Sequence, residues 1–283
     1  MESALLTPAD LKTLHDADLA VIIDTRDPES FAAGHIPGAV NMHDIFTFLA
    51  TSDSAGMAEL KDKFADEFAA AGLDGEKIAV IYEASMNTGF GQSCRGFYLL
   101  SFLGYPRVKV LHGGYAAWLA EGLPVSTDTV APAPGSFTVD PAAASIMMDV
   151  ADMKAAIGDD GVVILDVRDI DEWIADSSSP YGKDFCPRKG RIPGAKWIEW
   201  YRMMKPTPHG PVFKSKAEVL AECATVGITP DTPVKLYCFK GARASNTFLA
   251  LKEAGIRDVA IYFGSWNEWS RDPSLPIEEG LPF

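Results

Sequence analysis

The sequence predicts an α/β protein made of two similar domains, each with a small parallel sheet flanked by helices. Its 283 residues are enough for about two domains of roughly 150 residues each. Short apolar runs rich in β-branched residues alternate with amphipathic segments, which is typical of buried parallel strands joined by helices. The chain also repeats itself, and the two copies match over most of their length.

The repeat consists of motifs that occur in the same order in both halves. Residues 21–26 (VIIDTR) match residues 163–168 (VILDVR), and residues 34–39 (GHIPGA) match residues 190–195 (GRIPGA). The spacing of these motifs indicates that the second copy has 14 additional residues between about Ile174 and Lys189. We call this segment the insertion.

The predicted strands are short, apolar and bounded by turn residues. Three fall in each half, at Ala20–Ile23, Ile78–Tyr82, Val108–Leu111, Val162–Leu165, Val234–Tyr237 and Val259–Tyr262. Helices are expected between them. Thr7 before Pro8 is the pattern of an N-cap followed by proline at the first helical position, and Gly104 and Gly255 mark the ends of later helices.

The domain boundaries follow from the repeat and from one segment that lacks it. Residues 127–136 are small and Pro-rich and show no periodicity, which is typical of a linker. We therefore expect a first domain over residues 1–126, a linker over 127–136 and a second domain over 137–283.

Composition and charge exclude several classes of protein. A chain with 47% hydrophobic and 23% charged residues is neither disordered nor fibrous, and no apolar run reaches the ~18 residues of a membrane-spanning helix. The net charge of −14 argues against nucleic acid or an anionic membrane as the main partner. The amino terminus shows no secretory pattern, so a cytoplasmic location is the expectation.

A basic cluster interrupts this acidic chain. Residues 183–205 contain seven Lys or Arg residues and two acidic residues. Such a cluster fits a small anionic ligand, and it equally fits a solvated loop that faces acidic neighbours. Charge alone leaves both interpretations open.

The cysteine pattern predicts reduced thiols and no metal site. Cys94, Cys186, Cys223 and Cys238 form no Cys-x-x-Cys pair and have no metal-ligand spacing with the five histidines, so neither a metal nor another cofactor is expected. A large chain without a secretory signal does not need a disulfide framework. Cys186 lies in the insertion and is either a redox partner of Cys238 or an ordinary loop thiol.

The candidate nucleophile directly follows the predicted strand Val234–Tyr237. The loop reads Cys238, Phe239, Lys240, Gly241, Ala242 and Arg243, and a helix is expected from about Ala244. Ligands of parallel sheets bind outside the carboxyl ends of strands, and a helix amino terminus offers unpaired N–H groups to an anion. Gly241 allows successive amides to turn inward, while Lys240 and Arg243 add positive charge. These features predict an activated Cys238 and a loop that binds an anion.

These motifs together resemble the tandem-domain rhodanese family of thiosulfate and 3-mercaptopyruvate sulfurtransferases, which have two rhodanese-like domains. The resemblance rests on the Asp-x-Arg turns, the Gly-x-Ile-Pro-Gly-Ala turns, the Cys-x-x-Gly-x-Arg loop and residues 113–118 (GGYAAW). It implies that Cys238 takes the outer sulfur of thiosulfate as a persulfide and passes it to a thiophilic acceptor, cyanide or a thiol. It also implies a catalytically silent first domain, and here Glu83 matches Cys238, with four additional residues after Tyr82.

The resemblance also suggests how the donor binds. Lys240 occupies the loop position where thiosulfate-using relatives carry Lys, which favours thiosulfate over 3-mercaptopyruvate. Relatives bind the donor anion with arginines of the insertion, which indicates Arg188 first and Arg191 second. Glu172 stands where many relatives have Arg, so the choice between the two donors stays open.

Two other functions remain open at this point. Phosphatases and arsenate reductases of the same fold place Arg six positions after Cys, whereas Arg243 lies five positions after Cys238. A persulfide carrier or interaction module without turnover would keep the same loop as an enzyme. The sequence does not separate the carrier from the enzyme.

Overall fold

The fold is described for residues 3–140 and 145–282 of a computed structural model. By internal packing the chain forms two units. The first comprises the described residues of Met1–Phe48, Ala58–Ala144 and Met204–Phe213, and the second comprises those of Leu49–Met57, Ser145–Met203 and Lys214–Phe283. The units therefore differ from the predicted domains. Residues 127–140 pack with the first unit. Residues 49–57 of the first half pack with the second unit, and residues 204–213 of the second half pack with the first unit.

The first unit is built on a five-stranded parallel sheet. The strands of the amino-terminal half are β1 (Leu5–Leu6), β2 (Ala20–Asp24), β3 (Val40–Asn41), β4 (Ile78–Tyr82) and β5 (Val108–Leu111). Their order is β1-β5-β4-β2-β3, with every pair parallel, so β4 is the central strand.

The second unit repeats this arrangement. The remaining strands are β6 (Met147–Met148), β7 (Val163–Asp166), β8 (Lys196–Trp197), β9 (Met204–Lys205), β10 (Val212–Phe213), β11 (Val234–Tyr237) and β12 (Val259–Tyr262). The parallel sheet has the order β6-β12-β11-β7-β8, which makes β11 its central strand. Strands β9 and β10 form a separate antiparallel pair that packs with the first unit.

Helices connect the strands in both halves. They are α1 (Pro8–Asp16), α2 (Pro28–Ala33), α3 (Asp44–Thr47), α4 (Ser54–Ala70), α5 (Gln92–Leu103), α6 (Gly114–Ala120), α7 (Val150–Ala156), α8 (Ile170–Trp173), α9 (Lys216–Ala224), α10 (Ala242–Ala254) and α11 (Ser265–Trp269). Within residues 3–140 and 145–282, none of them combines the length and the apolar character that crossing a membrane requires.

The predicted α/β architecture is confirmed. Each of the six predicted strands is present with bounds that agree within one residue. Thr7 caps α1 by accepting a hydrogen bond from the amide of Asp10, and Gly104 and Gly255 end α5 and α10 in the left-handed conformation. Edge strands of two residues were beyond prediction, because so short a segment carries no periodicity.

Each sheet is covered by an apolar core that reaches the strand ends. In the second unit the buried core includes Met153, Ile164, Cys186, Tyr237, Phe239, Trp266 and Trp269. Burial of one large apolar side chain stabilises a fold by about 1.5–3 kcal/mol. Because Phe239 belongs to this core, the loop after β11 is anchored by packing as well as by its two ends.

Candidate active site

The Cys238 loop leaves the central strand of the second sheet at its carboxyl end. Tyr237, the last residue of β11, pairs in register with Asp166 of β7. Helix α10 begins at Ala242, two residues earlier than predicted, so only residues 238–241 join strand and helix. Gly241 is the N-cap and has φ +92°, and a Cβ there would lie 2.8 Å from the Phe263 ring. The tight turn therefore requires glycine.

The sulfur of Cys238 lies at the amino terminus of α10. The amide of Gly241 donates a hydrogen bond to Cys238 Sγ at 3.1 Å. The Cys238 side chain is buried, with 1% of its surface exposed. A donating amide and the positive end of the helix dipole both stabilise negative charge on this sulfur. This geometry provides one amide of the predicted anion-binding turn.

The backbone of Cys238 is held by the turn before α11. Its amide donates to Ser265 Oγ at 3.2 Å, and its carbonyl accepts the amide of Trp266 at 3.0 Å. Ser265 has φ +55°, a left-handed conformation that side chains rarely adopt, and its hydroxyl donates to the carbonyl of Tyr262. Sequence reasoning missed Ser265. The signal was present, because the repeat aligns it with Gly114, which is also left-handed.

Arg243 forms a buried ion pair with Glu172. Its Nη1 donates to Glu172 Oε2 at 2.5 Å and its Nη2 donates to Oε1 at 3.1 Å, while Asp169 Oδ1 lies 3.2 Å from Nη1. Burial alone would lower the pKa of Arg243, but the Glu172 carboxylate outweighs it and raises this pKa well above its ordinary value. The guanidinium is therefore cationic and its charge is matched by a carboxylate.

The insertion covers the other side of the loop with aromatic rings. Phe239 packs against Tyr181 and Phe185, with ring centroids 4.7 and 6.4 Å apart. Lys240 Nζ lies 5.6 Å from the centroid of the Tyr181 ring, within the range of a cation–π interaction. Tyr181 and Phe185 are partly exposed, so they form a rim beside Lys240.

Arg188 and Arg191 bind backbone carbonyls near the carboxyl terminus. Arg188 donates to the carbonyls of Trp269, Ser270, Asp272 and Leu275. Arg191 donates to the carbonyls of Trp173 and Gly280 and pairs with Glu278. Within the described ranges, none of their side-chain hydrogen bonds goes to residues 238–243. Their donors hold the insertion and the carboxyl-terminal segment together.

Comparison with known proteins identifies the family of this fold. Residues 7–121 and 149–272 both match the family described as Rhodanese-like domain. The chain belongs to the rhodanese-like domain family. The resemblance stated from the motifs is thereby confirmed, and both copies of the repeat are rhodanese-like domains.

Individual relatives match along almost the whole chain. The protein is 31% identical over 276 residues to the thiosulfate sulfurtransferase of Azotobacter vinelandii, covering 97% of this chain and 96% of the relative. It is 28% identical to the sulfur carrier protein TtuD of Thermus thermophilus, covering 94% and 93%. A solved structure of an EanB variant with hercynine has a TM-score of 0.85 at 23% identity, over 99% of this chain and 70% of that one, and shows the same fold.

Both rhodanese-like domains contain the same buried clamp below their loops. In the second, Arg168 pairs with Asp166 and donates to the carbonyl of Gly190 at 2.8 Å. Tyr237 donates its hydroxyl to Asp166 at 2.6 Å and accepts the amide of Ile192. The clamp thus fastens the Gly-x-Ile-Pro-Gly-Ala turn to two strand ends, and Asp166 and Arg168 have a structural role.

The first domain builds an equivalent clamp. Arg26 pairs with Asp24 at 2.6 Å and donates to the carbonyl of Gly34, while the Tyr82 hydroxyl donates to Asp24 at 2.5 Å. Because the clamp is present beside a loop without a cysteine, it belongs to the scaffold rather than to the chemistry.

The loop of the first domain begins with a carboxylate residue, Glu83, instead of a cysteine. Glu83 is fully buried, and its Oε1 accepts the hydroxyl of Ser93 at 2.6 Å, at the amino terminus of α5. Burial raises the pKa of Glu83 to about 7, although hydrogen bonds from Ser93 and from the amides of Gly91 and Gln92 favour the charged form. The carboxylate occupies the place that the sulfur occupies in the second domain.

The remaining cysteines are buried in apolar surroundings. Cys186 belongs to the core around Tyr237 and Phe239, and burial raises its pKa although hydrogen bonds to Ser270 and Ser179 oppose this. Burial likewise raises the pKa of Cys223 to about 11. All four cysteines are free thiols. These environments favour the neutral thiol at Cys186 and Cys223.

The acidic residues beside the loop form a charge partner for Arg243. Among the described residues, Asp169, Asp171 and Glu172 have carboxylate oxygens within 4.8 Å of one another, close enough to share a cation. Two of the three already pair with Arg243. The guanidinium thus balances part of the negative charge of this cluster.

Proposed function

We propose that the protein is a thiosulfate sulfurtransferase that carries the transferred sulfur on Cys238. The observation that carries the proposal is the hydrogen bond from the Gly241 amide to Cys238 Sγ at the amino terminus of α10. A nucleophilic thiolate needs this kind of stabilisation, and so does the persulfide that follows it. The relationship to the thiosulfate sulfurtransferase of Azotobacter vinelandii over nearly the whole chain supports the same activity.

The reaction consists of two displacements at sulfur. The Cys238 thiolate attacks the outer sulfur of thiosulfate, the sulfur–sulfur bond of the donor breaks, and sulfite leaves with the electron pair. Cyanide or a thiolate then attacks the outer sulfur of the persulfide, and the Cys238 thiolate is released. The protein's part is to stabilise the sulfur anion in both states by the Gly241 amide and the helix terminus.

The loop supplies the proposed donor contacts. Lys240 and the backbone of residues 239–242 are the groups best placed to hold the anion beside Cys238. Arg243 takes part in the site as an ion pair with Glu172, and its charge is therefore matched before a donor binds. The described donors of Arg188 bind carbonyls, and those of Arg191 bind carbonyls and the Glu278 carboxylate. We therefore assign these two arginines to positioning the insertion and the turn that follows it. The first domain, with Glu83 in place of the nucleophile, is proposed to be catalytically silent.

Mass spectrometry after treatment with thiosulfate tests the nucleophile. We expect the protein to gain one sulfur, to lose it on addition of cyanide, and to release thiocyanate. Cys238→Ser is expected to lower thiocyanate formation at least a thousandfold, because it removes the covalent intermediate. Cys223→Ser, which removes another buried thiol, is the matched control and is expected to keep the activity. A sulfur gain that persists in Cys238→Ser would rule out the proposal.

Persulfide carriage without turnover is the second candidate. It is favoured by the similarity to the sulfur carrier protein TtuD. A carrier would gain sulfur on Cys238 and pass it to a protein thiol, with no measurable thiocyanate formation. Parallel rates with cyanide and with a protein thiol as acceptors distinguish the carrier from the enzyme.

A further inference from the structure

The charges beside the Cys238 loop are arranged unequally. On the side of α8, Arg243 contacts the carboxylates of Glu172 and Asp169, and Glu199 interacts electrostatically with Arg243, Asp169 and Asp171. Arg168 also interacts with Glu172, but its charge is matched by Asp166. On the side of the insertion, Lys240 lies next to the Tyr181 ring. The acidic side therefore has more negative than positive charge, although the loop itself contains two cations.

Glu172 is the residue that neutralises Arg243. Its carboxylate is fully buried and binds both Nη atoms of the guanidinium, a geometry that matches charge and hydrogen-bond donors at once. Only 5% of the Arg243 side chain is exposed. A donor anion at Cys238 consequently meets a guanidinium that is already paired, in surroundings where a further negative charge is costly.

We propose that Glu172 is a specificity-determining residue that selects sulfur donors with one negative charge over donors with two. The proposal rests on the proposed sulfur transfer through Cys238 and names the donor class for it. One charge of the donor is met by Lys240 and the amino terminus of α10. A second charge finds no new partner on the side of Glu172 and Asp169 and is repelled there. Thiosulfate remains a donor, as the proposed function requires, and thiosulfonates and alkyl persulfides are expected to react with a higher kcat/KM.

The chemistry is the same for each donor. With a thiosulfonate, the Cys238 thiolate attacks the outer sulfur, the bond between the two sulfur atoms breaks, and a sulfinate leaves with the electron pair. With an alkyl persulfide, the leaving group is a thiolate. Each exchange forms one sulfur–sulfur bond and breaks one, with no net oxidation or reduction.

A pair of donors that differ mainly in charge tests the proposal. Thiosulfate is a dianion, and methanethiosulfonate replaces one of its anionic oxygens by a methyl group. With cyanide as acceptor, the ratio of kcat/KM for thiosulfate to that for methanethiosulfonate measures the response to the second charge. We expect Glu172→Gln, which keeps a hydrogen bond to Arg243, to raise this ratio about tenfold. The change is expected mainly in KM for thiosulfate.

Glu83→Gln is the matched control, because it removes a buried carboxylate from the loop of the first domain. It is expected to leave the ratio unchanged. A ratio that stays within about twofold in Glu172→Gln, while Cys238 still accepts sulfur, would overturn the inference and leave the proposed function intact. Loss of sulfur transfer from both donors in the wild type would overturn the proposed function itself.

A second variant is used if circular dichroism shows that Glu172→Gln does not fold. Asp169→Asn removes a partly exposed carboxylate 3.2 Å from Arg243 and is expected to raise the ratio about threefold. An unchanged ratio in a folded Asp169→Asn protein also counts against the inference.

Discussion

The Cys238 loop and the Glu83 loop occupy the same place in two copies of one fold. Each follows the central strand of a five-stranded parallel sheet and precedes a helix that begins after a left-handed glycine, Gly241 or Gly91. In one loop a sulfur lies at the helix terminus, and in the other a carboxylate does. The comparison teaches that the same helix terminus can accommodate either a buried carboxyl group of the chain or a cysteine sulfur.

The two loops also differ in length. Nine residues, 83–91, join β4 to α5, whereas four residues, 238–241, join β11 to α10. Glu83 is the first residue of the longer loop, and its carboxylate accepts the hydroxyl of Ser93 in α5. Helix α5 has 12 residues and α10 has 13, so the shorter helix offsets one residue of the longer loop when the two copies are compared by motif spacing. The spacing therefore predicted four additional residues where the loop itself has five.

Removing Arg243, beside the Cys238 loop, is expected to cause the largest loss of stability. Arg243→Ala leaves the buried carboxylate of Glu172 without its partner, and we expect it to lower the free energy of unfolding by about 3–5 kcal/mol. Urea unfolding measures this loss. The double variant Glu172→Leu with Arg243→Met removes both charges and is expected to recover most of the stability. A loss below about 1 kcal/mol in Arg243→Ala would mean that the ion pair is not buried in solution.

The Glu83 loop should make the stability of the protein depend on pH. The folded pKa is about 7 and the ordinary value is 4.5, so between these values the folded protein holds a proton that the unfolded chain has lost. Stability therefore falls as pH rises, and the contribution of Glu83 is expected to decrease by about 3 kcal/mol from pH 4.5 to pH 8. Glu83→Gln cannot ionise, so the stability difference between it and the wild type is the measurement. A difference that is constant with pH would contradict the raised pKa.

The clamps should respond equally, because the two copies share them. Tyr82→Phe and Tyr237→Phe each remove a hydroxyl that donates to a buried aspartate and accepts a backbone amide. We expect each to cost about 1–3 kcal/mol, and the two losses to agree within about 1 kcal/mol in urea unfolding. A much larger loss for Tyr237→Phe would show that the clamp of the second domain also stabilises the Cys238 loop.

Much of this architecture was predictable from the sequence, because the same motifs occur in the same order in both halves. Strands such as β4 and β11 were predicted with their bounds, since buried parallel strands are short apolar runs between turns. The position of Cys238 between a strand and a helix followed from the same pattern. The exchange of Cys238 for Glu83 was visible once the copies were aligned.

Contacts between distant segments were not predictable. The family resemblance indicated Arg188 as a residue that binds the donor, and the structure shows its side-chain donors on carbonyls more than 80 positions away in the chain. A guanidinium satisfies an anion and a set of carbonyls equally well, so its residue type does not reveal its partner. The pairing of Glu172 with Arg243 escaped prediction for the same reason, since 71 positions separate them.

The division of the chain into two packing units has a consequence for truncation. Residues 49–57 lie in the first half of the sequence but pack in the unit that contains Cys238, where Ser52 hydrogen-bonds Glu268 and accepts the amide of Val150. A chain cut at residues 127–136 would therefore leave the half that contains Cys238 without one segment of its own packing unit. Simple truncation of the first half does not preserve the second unit.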